Sequence, residues 1–140
     1  MKEINKIVEL KTNDERKELI LKFKNLYGIN YHLSVQIASG DFKGVSRMEL
    51  LRNDIEKIIL ELTSLINNRE SVVKINDYES DSFLSLLTDS LGQVEVSGQV
   101  GGSYEDQYMK FKFQTDQTVI DPLIKDLESI LEYDSCSVCQ

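Results

Sequence analysis

The chain has 140 residues, a length that suits one ordinary domain with a single hydrophobic core. Hydrophobic residues make up 41% of the chain and charged residues 29%, with a single proline, so disorder and fibrous repeats are poor descriptions of it. The 24 acidic and 16 basic side chains give a net charge of -8, which disfavours binding to nucleic acid and to anionic membrane surfaces.

No stretch approaches the roughly 20 consecutive apolar residues that a membrane span needs. Residues 1–6 are mostly polar and lack the apolar region of a signal peptide. We therefore expect a cytoplasmic protein, and no feature of the sequence specifies an oligomeric state.

Strand patterns dominate the first third of the chain. Three strands are predicted, at residues 2–11, 18–26 and 31–37. Apolar residues have mixed spacing in the first of them and alternate with polar residues in the other two, as in half-buried strands. The polar residues 12–15 predict a hairpin turn, and residues 39–44 predict a loop in which Gly40 and Gly44 can take a positive φ.

An amphipathic helix is predicted after this loop. Ser46 and Glu49 have the spacing of a capping box, and Asn53 with Glu56 offers a later start. Apolar residues then recur at steps of three and four, which predicts a helix that covers one face of a sheet. They are Leu51, Ile55, Ile58, Leu62 and Leu65, widened by Ile59 and Ile66. The polar residues 67–69 predict its end.

A meander and a second helix complete the prediction. Strands are predicted at 72–75, 83–87, 94–100 and 109–113. The segment 83–87 is apolar on both sides, which indicates a central strand. Asp116 or Thr118 can cap the final helix, Pro122 suits its first turn, and its apolar residues have helical spacing.

These elements predict an α+β fold, with an antiparallel sheet of about six strands and two amphipathic helices packed on one face. Strands outnumber helices, and the strand–helix–strand alternation of parallel sheets does not occur. We expect a single domain over residues 1–133 and a flexible tail over 134–140. No internal repeat is evident in the sequence.

The residue types of common active sites are sparse. The alternation of its strand places His32, the only histidine, on the solvent face, where a catalytic role is disfavoured. Cys136 and Cys139 have C-x-x-C spacing, but a zinc site wants two further ligands and a redox motif should open a helix. We predict no catalytic residue, no metal site and no cofactor, and hence a protein that is not an enzyme.

Acidic residues are concentrated in two predicted loops. They stand beside tyrosines, which give a protein interface both buried area and a hydrogen-bonding hydroxyl. The residues are Asp77, Tyr78, Glu79 and Asp81 in the first loop, and Tyr104, Glu105 and Asp106 in the second. A calcium loop would need a central glycine and a later ligand, so solvated loops are favoured over a metal site. If both loops lie at the same end of the sheet, they form an acidic patch that could bind a partner.

Several segments between about residues 31 and 131 resemble the WapI family of small bacterial immunity proteins. The segments are Ser39–Gly44, Tyr78–Ser80, Gly92–Gly98 and Phe111–Thr118, with the amphipathic helix after the first. None of them is a catalytic signature. The resemblance implies a small intracellular protein that neutralises a contact-dependent toxin, often a nuclease, by binding its toxin domain. The net charge of -8 would suit a basic partner.

Two other functions stay open at this point. The chain could be a housekeeping or structural binding module whose charge provides only solubility. It could also be a hydrolase that uses the acidic loops, which would require a deep pocket and carboxyl groups of raised pKa.

Overall fold

The computed structural model describes residues 1–67 and 71–135. The strands are β1 (Lys2–Leu10), β2 (Lys17–Tyr27), β3 (Asn30–Ser39), β4 (Phe42–Leu51), β5 (Val72–Asn76), β6 (Phe83–Thr88), β7 (Gln93–Val100) and β8 (Met109–Asp116). The helices are α1 (Arg52–Asn67) and α2 (Ile120–Ser135), and a short 3₁₀ turn (Gln117–Val119) precedes α2.

The strands form two antiparallel four-stranded sheets. The first sheet has the order β1-β2-β3-β4 and the second the order β5-β6-β7-β8, so each is a meander of neighbours in the chain. The predicted α+β class is confirmed. The described strands number eight rather than about six, and they lie in two sheets rather than one.

Each sheet is followed in the chain by an α-helix, so the architecture of the first half recurs in the second. The sequence shows no matching repeat, because alternation and helical spacing can be satisfied by many different apolar residues. The helices contact each other, and each also contacts the other half: α1 packs on β5 and α2 on β1. One cluster of buried side chains includes residues of both sheets and both helices.

The predicted helix start at Ser46 is wrong. Residues 42–51 form β4, which pairs with β3 in an unbroken register from Ser39 opposite Phe42 to Asn30 opposite Leu51. The later predicted start, near Asn53, is within one residue of the observed one. Asp54 receives a hydrogen bond of 3.0 Å from the Leu51 N–H, so it satisfies an amide at the junction of strand and helix.

The predicted loop over residues 39–44 is much shorter than expected. Ser39 pairs with Phe42, so only Gly40 and Asp41 connect β3 to β4. Gly40 has a φ of 64°, in line with the preference of two-residue hairpin loops for glycine at a positive φ. Gly44 lies within β4.

Most other predicted elements are confirmed. The strands over 2–11, 18–26, 31–37, 72–75, 94–100 and 109–113 are present, and β6 is a central strand. Only one face of β6 is fully buried, at Leu84 and Leu86, whereas Leu87 is exposed. Asp116 caps the last helical segment by accepting a hydrogen bond of 2.9 Å from the Thr118 N–H.

Two predicted features fall partly outside the described residues. The polar end of the first helix was placed at 67–69; α1 ends at Asn67, and residues 68–70 are not described. In the predicted tail, α2 extends to Ser135, while Cys136 and Cys139 lie outside the described residues. Neither described helix is long and apolar enough to cross a membrane.

Candidate functional site

The two acidic loops lie together at one end of the second sheet. Residues 77–82 connect β5 to β6, and residues 101–108 connect β7 to β8. In an antiparallel meander, alternate connections fall at the same end of the sheet. We call these segments loop 77–82 and loop 101–108. The condition under which an acidic patch was predicted is therefore met.

Asp77 attaches loop 77–82 to the edge of the first sheet. Its Oδ1 accepts hydrogen bonds from the backbone N–H groups of Glu49 at 2.8 Å and Glu79 at 3.2 Å, and its Oδ2 accepts one from the Ser80 hydroxyl at 2.6 Å. The adjacent Tyr78 N–H donates to the Glu49 carbonyl at 2.9 Å. Asp77 and Tyr78 thus pair with β4 almost as an additional strand would.

Asp81 joins the two loops to each other. Its carboxylate accepts hydrogen bonds from the Ser103 N–H at 2.8 Å and from the Ser103 hydroxyl. The hydroxyl, and after it the N–H, hold the pKa of Asp81 below its usual value, because both stabilise the charged form. Beneath this contact the buried Ser82 hydroxyl donates to the Gln99 carbonyl at 2.9 Å. The loops are therefore held in one arrangement.

The other predicted site residues are directed to solvent. Tyr104 is 100% exposed and Tyr78 is 61% exposed, a large area for two aromatic rings. Glu79, Glu105 and Asp106 are also exposed. The structure brings all seven predicted residues into one region and divides them into two groups. Asp77 and Asp81 hold the loops in place through hydrogen bonds, whereas the other five residues are exposed.

A cleft of about 730 Å³ is lined by residues of the first sheet and of both loops. Its acidic wall includes Glu79 and Glu105, and the opposite wall, formed by β2, β3 and β4, includes Lys24, His32 and Arg47. The cleft therefore presents both signs of charge. Such a surface can orient a charged partner rather than merely attract it.

The side chains of Glu49 and His32 are in contact at the end of this cleft. Their side chains lie on paired positions of β4 and β3, and the His32 Nε2 is 3.0 Å from the Glu49 Oε1. Burial raises the pKa of Glu49; His32 opposes this, while the nearby carboxylates Glu79 and Asp77 add to it. Sequence reasoning missed Glu49 because it was assigned to a helix cap. If residues 45–51 had been assigned to a strand, their alternation would have placed it on the face of His32.

Across 1–67 and 71–135, no three side chains of His, Cys, Asp or Glu are grouped as a metal ion would require. Two of the three carboxylates considered for calcium, Asp77 and Asp81, already accept hydrogen bonds from the protein.

Comparison with solved structures identifies the fold. The chain is similar to a chain in the crystal structures of Trypanosoma bruciei MRP1/MRP2, with a TM-score of 0.51 and 11% sequence identity. The match covers 93% of this chain and 84% of the other. At this level of identity the likeness shows a shared fold alone.

Comparison with protein families gives the class of the protein. The Immunity protein WapI-like family matches residues 8–133, so the chain belongs to this family of immunity proteins. The resemblance derived from the sequence is confirmed. No match was found among curated proteins.

Proposed function

We propose that this protein binds the toxin domain of a cognate contact-dependent toxin and neutralises it in the cytoplasm of a bacterium. The observation that carries the proposal is membership of the WapI-like immunity family over residues 8–133. Neutralisation follows from occupation of the toxin surface, and requires no chemistry from this chain.

The proposed contact surface comprises the exposed residues of the two acidic loops. Tyr78 and Tyr104 supply area that a partner can bury, and aromatic residues frequently dominate binding energy. Glu79, Glu105 and Asp106 supply negative charge around them. A basic toxin domain is the complementary partner, and the net charge of -8 would accelerate its approach. The bonds of Asp77 and Asp81 reduce the entropy lost when these loops become ordered on binding.

The test is co-expression with a candidate toxin domain encoded by a neighbouring reading frame. The wild-type chain should restore growth and form a complex that is measurable by calorimetry. If growth is not restored and no complex forms, the immunity proposal is wrong, and a housekeeping or structural binding module becomes the better description.

Charge reversal tests the contact surface itself. The variant carrying Glu79→Lys, Glu105→Lys and Asp106→Lys should associate with the toxin about 10-fold more slowly or worse at low salt. Asp77 and Asp81 are left intact because they hold the loops. The matched control reverses three exposed carboxylates elsewhere, Glu3, Glu15 and Glu128, and so changes the net charge equally. Equal rates for both variants would show that the acidic loops are not the interface.

One observation favours hydrolysis as a second candidate function. Glu49 has a raised pKa and lies beside His32 at a cleft, an arrangement that suits a general acid. Glu49→Gln distinguishes the two functions. An immunity protein that acts by binding should protect growth equally well with glutamine at this position, whereas loss of protection with toxin binding retained would favour hydrolysis.

A further inference from the structure

The outer edge of β4 is only partly covered. β4 is the last strand of the first sheet, so one of its sides has no neighbouring strand in that sheet. On this side the Glu49 N–H and carbonyl bond to Asp77 and Tyr78, and the Leu51 N–H bonds to Asp54. The backbone groups of Glu49 and Leu51 therefore point away from β3.

The direction of the backbone groups of Glu49 and Leu51 determines the direction of the backbone groups along the rest of β4. In an antiparallel strand, backbone groups point alternately to one side and the other. The register with β3 is unbroken, so Arg47, Val45 and Lys43 also direct their N–H and carbonyl groups away from β3. Within the described part of the chain, no hydrogen bond reaches the outward backbone groups of Val45 or Arg47. The carboxylates of Asp77 and Asp54 thus accept the outward N–H groups of Glu49 and Leu51, whereas the outward groups of Val45 and Arg47 remain open to a partner strand.

The open part of the edge borders a second groove. This groove has a volume of about 810 Å³ and lies between residues 43–46 and loop 101–108. Its inner wall is apolar: Val100 and Met109 line it, and a Cβ placed on Gly44 would lie only 3.3 Å from the Met109 sulfur. Glu105 and Asp106 stand on the opposite side. An open strand edge beside such a groove is suited to accept an extended peptide.

We infer that residues 43–47 of β4 pair with an extended segment of the toxin domain, which adds a fifth strand to the first sheet. This inference rests on the proposed function. Alternate side chains of the added strand would face the apolar wall at Val100 and Met109, so that segment should contain apolar residues at every second position. Basic residues flanking it would complement Glu105 and Asp106.

Amide hydrogen exchange measured by NMR tests the pairing residue by residue. In the free protein the amides of Val45 and Arg47 should exchange at least about 10-fold faster than those of Gly44 and Ser46, which bond to β3. Addition of the purified toxin domain from the neighbouring reading frame should slow Val45 and Arg47 to rates near those of their neighbours. A complex without this protection would overturn the inference and leave the proposed function intact. Failure to form any complex would overturn both.

A proline substitution provides the matching functional test. Val45→Pro removes an N–H that does not bond to β3, and proline is tolerated at such edge positions. The variant should retain the fold and bind the toxin about 10- to 100-fold more weakly, because a strand hydrogen bond is lost and the approach of the added strand is obstructed. Val45→Thr keeps the N–H and nearly the same shape, and should bind as the wild type does. A folded Val45→Pro variant with unchanged affinity would refute the inference. If that variant does not fold, the exchange measurement still decides.

Discussion

Replacement of Asp77 by alanine separates the structural role of the acidic loops from their contact with a partner. The substitution removes three hydrogen bonds at once, those from Glu49, Glu79 and Ser80. We expect loop 77–82 to detach from β4, because among the described residues only the hydrogen bond from the Tyr78 N–H to the Glu49 carbonyl would then join them.

The cost can be worked from these contacts. The bond from the Glu49 N–H is partly buried and ends on a carboxylate, so its loss should cost about 1.5–2 kcal/mol. The other two bonds lie at exposed atoms, where water replaces the carboxylate, and should add no more than about 1 kcal/mol together. A total of about 1.5–3 kcal/mol corresponds to a fall in Tm of roughly 5–10 °C for a chain of this size.

Urea denaturation and calorimetry of the variants provide the measurement. Asp77→Asn retains the oxygen that accepts from Glu49 and should lose about 1 kcal/mol or less. An alanine variant within about 0.5 kcal/mol of the wild type would refute the structural role of Asp77. Toxin affinity gives the second readout: a loss with asparagine as large as that with alanine would mean that the charge of Asp77 contacts the partner directly.

Three further predictions concern stability and binding. Gly98→Ala should lower the free energy of unfolding by about 3 kcal/mol or more, because its Cβ would lie 2.2 Å from the Phe83 carbonyl oxygen. Gly28→Ala should lower it by only about 1–2 kcal/mol, because Gly28 has a φ of +64° but no atom within 4 Å of the added Cβ; urea denaturation measures both variants. Glu49→Gln should stabilise the fold at neutral pH, because folding raises the pKa of Glu49 and its ionisation therefore opposes folding. The gain in Tm should disappear when the pH falls below 4.5, the ordinary pKa of a glutamate, and a difference in Tm that is constant across pH would contradict this reasoning. Tyr104→Ala should leave Tm unchanged and weaken toxin binding about 10-fold or more by calorimetry, and equal affinity would exclude Tyr104 from the interface.

Strand alternation in the sequence is sufficient to predict most of the fold. In segments such as 94–100 and 109–113 the apolar residues recur at every second position, and this alternation assigns both segments to strands. The division into two sheets is not visible in this pattern. Whether consecutive hairpins extend one sheet or begin another depends on contacts between distant residues.

The incorrect helix start at Ser46 has a physical cause. A capping box depends on four neighbouring residues, and the spacing of Ser46 and Glu49 satisfies it. Pairing with β3 along all of β4, together with burial of Met48 and Leu50 on one face, outweighs that local preference. With residues 46–51 assigned to a helix, neither the contact of Glu49 with His32 nor the open edge of β4 could be predicted.

The sequence predicts where the candidate site lies, but it does not predict which of its residues hold the loops and which are exposed. Alternate connections of a meander bring loop 77–82 and loop 101–108 to one end, a result that follows from strand order alone. The roles of Asp77 and Asp81 depend on bonds to Glu49 and Ser103, far away in the chain. Composition cannot distinguish a carboxylate that holds a loop through hydrogen bonds from one that is exposed and free to contact a partner.

The proposed interface combines two kinds of interaction that kinetics can separate. The exposed carboxylates Glu79, Glu105 and Asp106 act over a distance, so they should govern the association rate and its dependence on salt. Hydrogen bonds along the edge at Val45 form only on contact and should govern the dissociation rate. We therefore expect the charge-reversal variant to change mainly the first rate and Val45→Pro mainly the second. Surface plasmon resonance at several salt concentrations measures both. If the two variants changed the same rate, loops and edge would not act as separate parts of one interface.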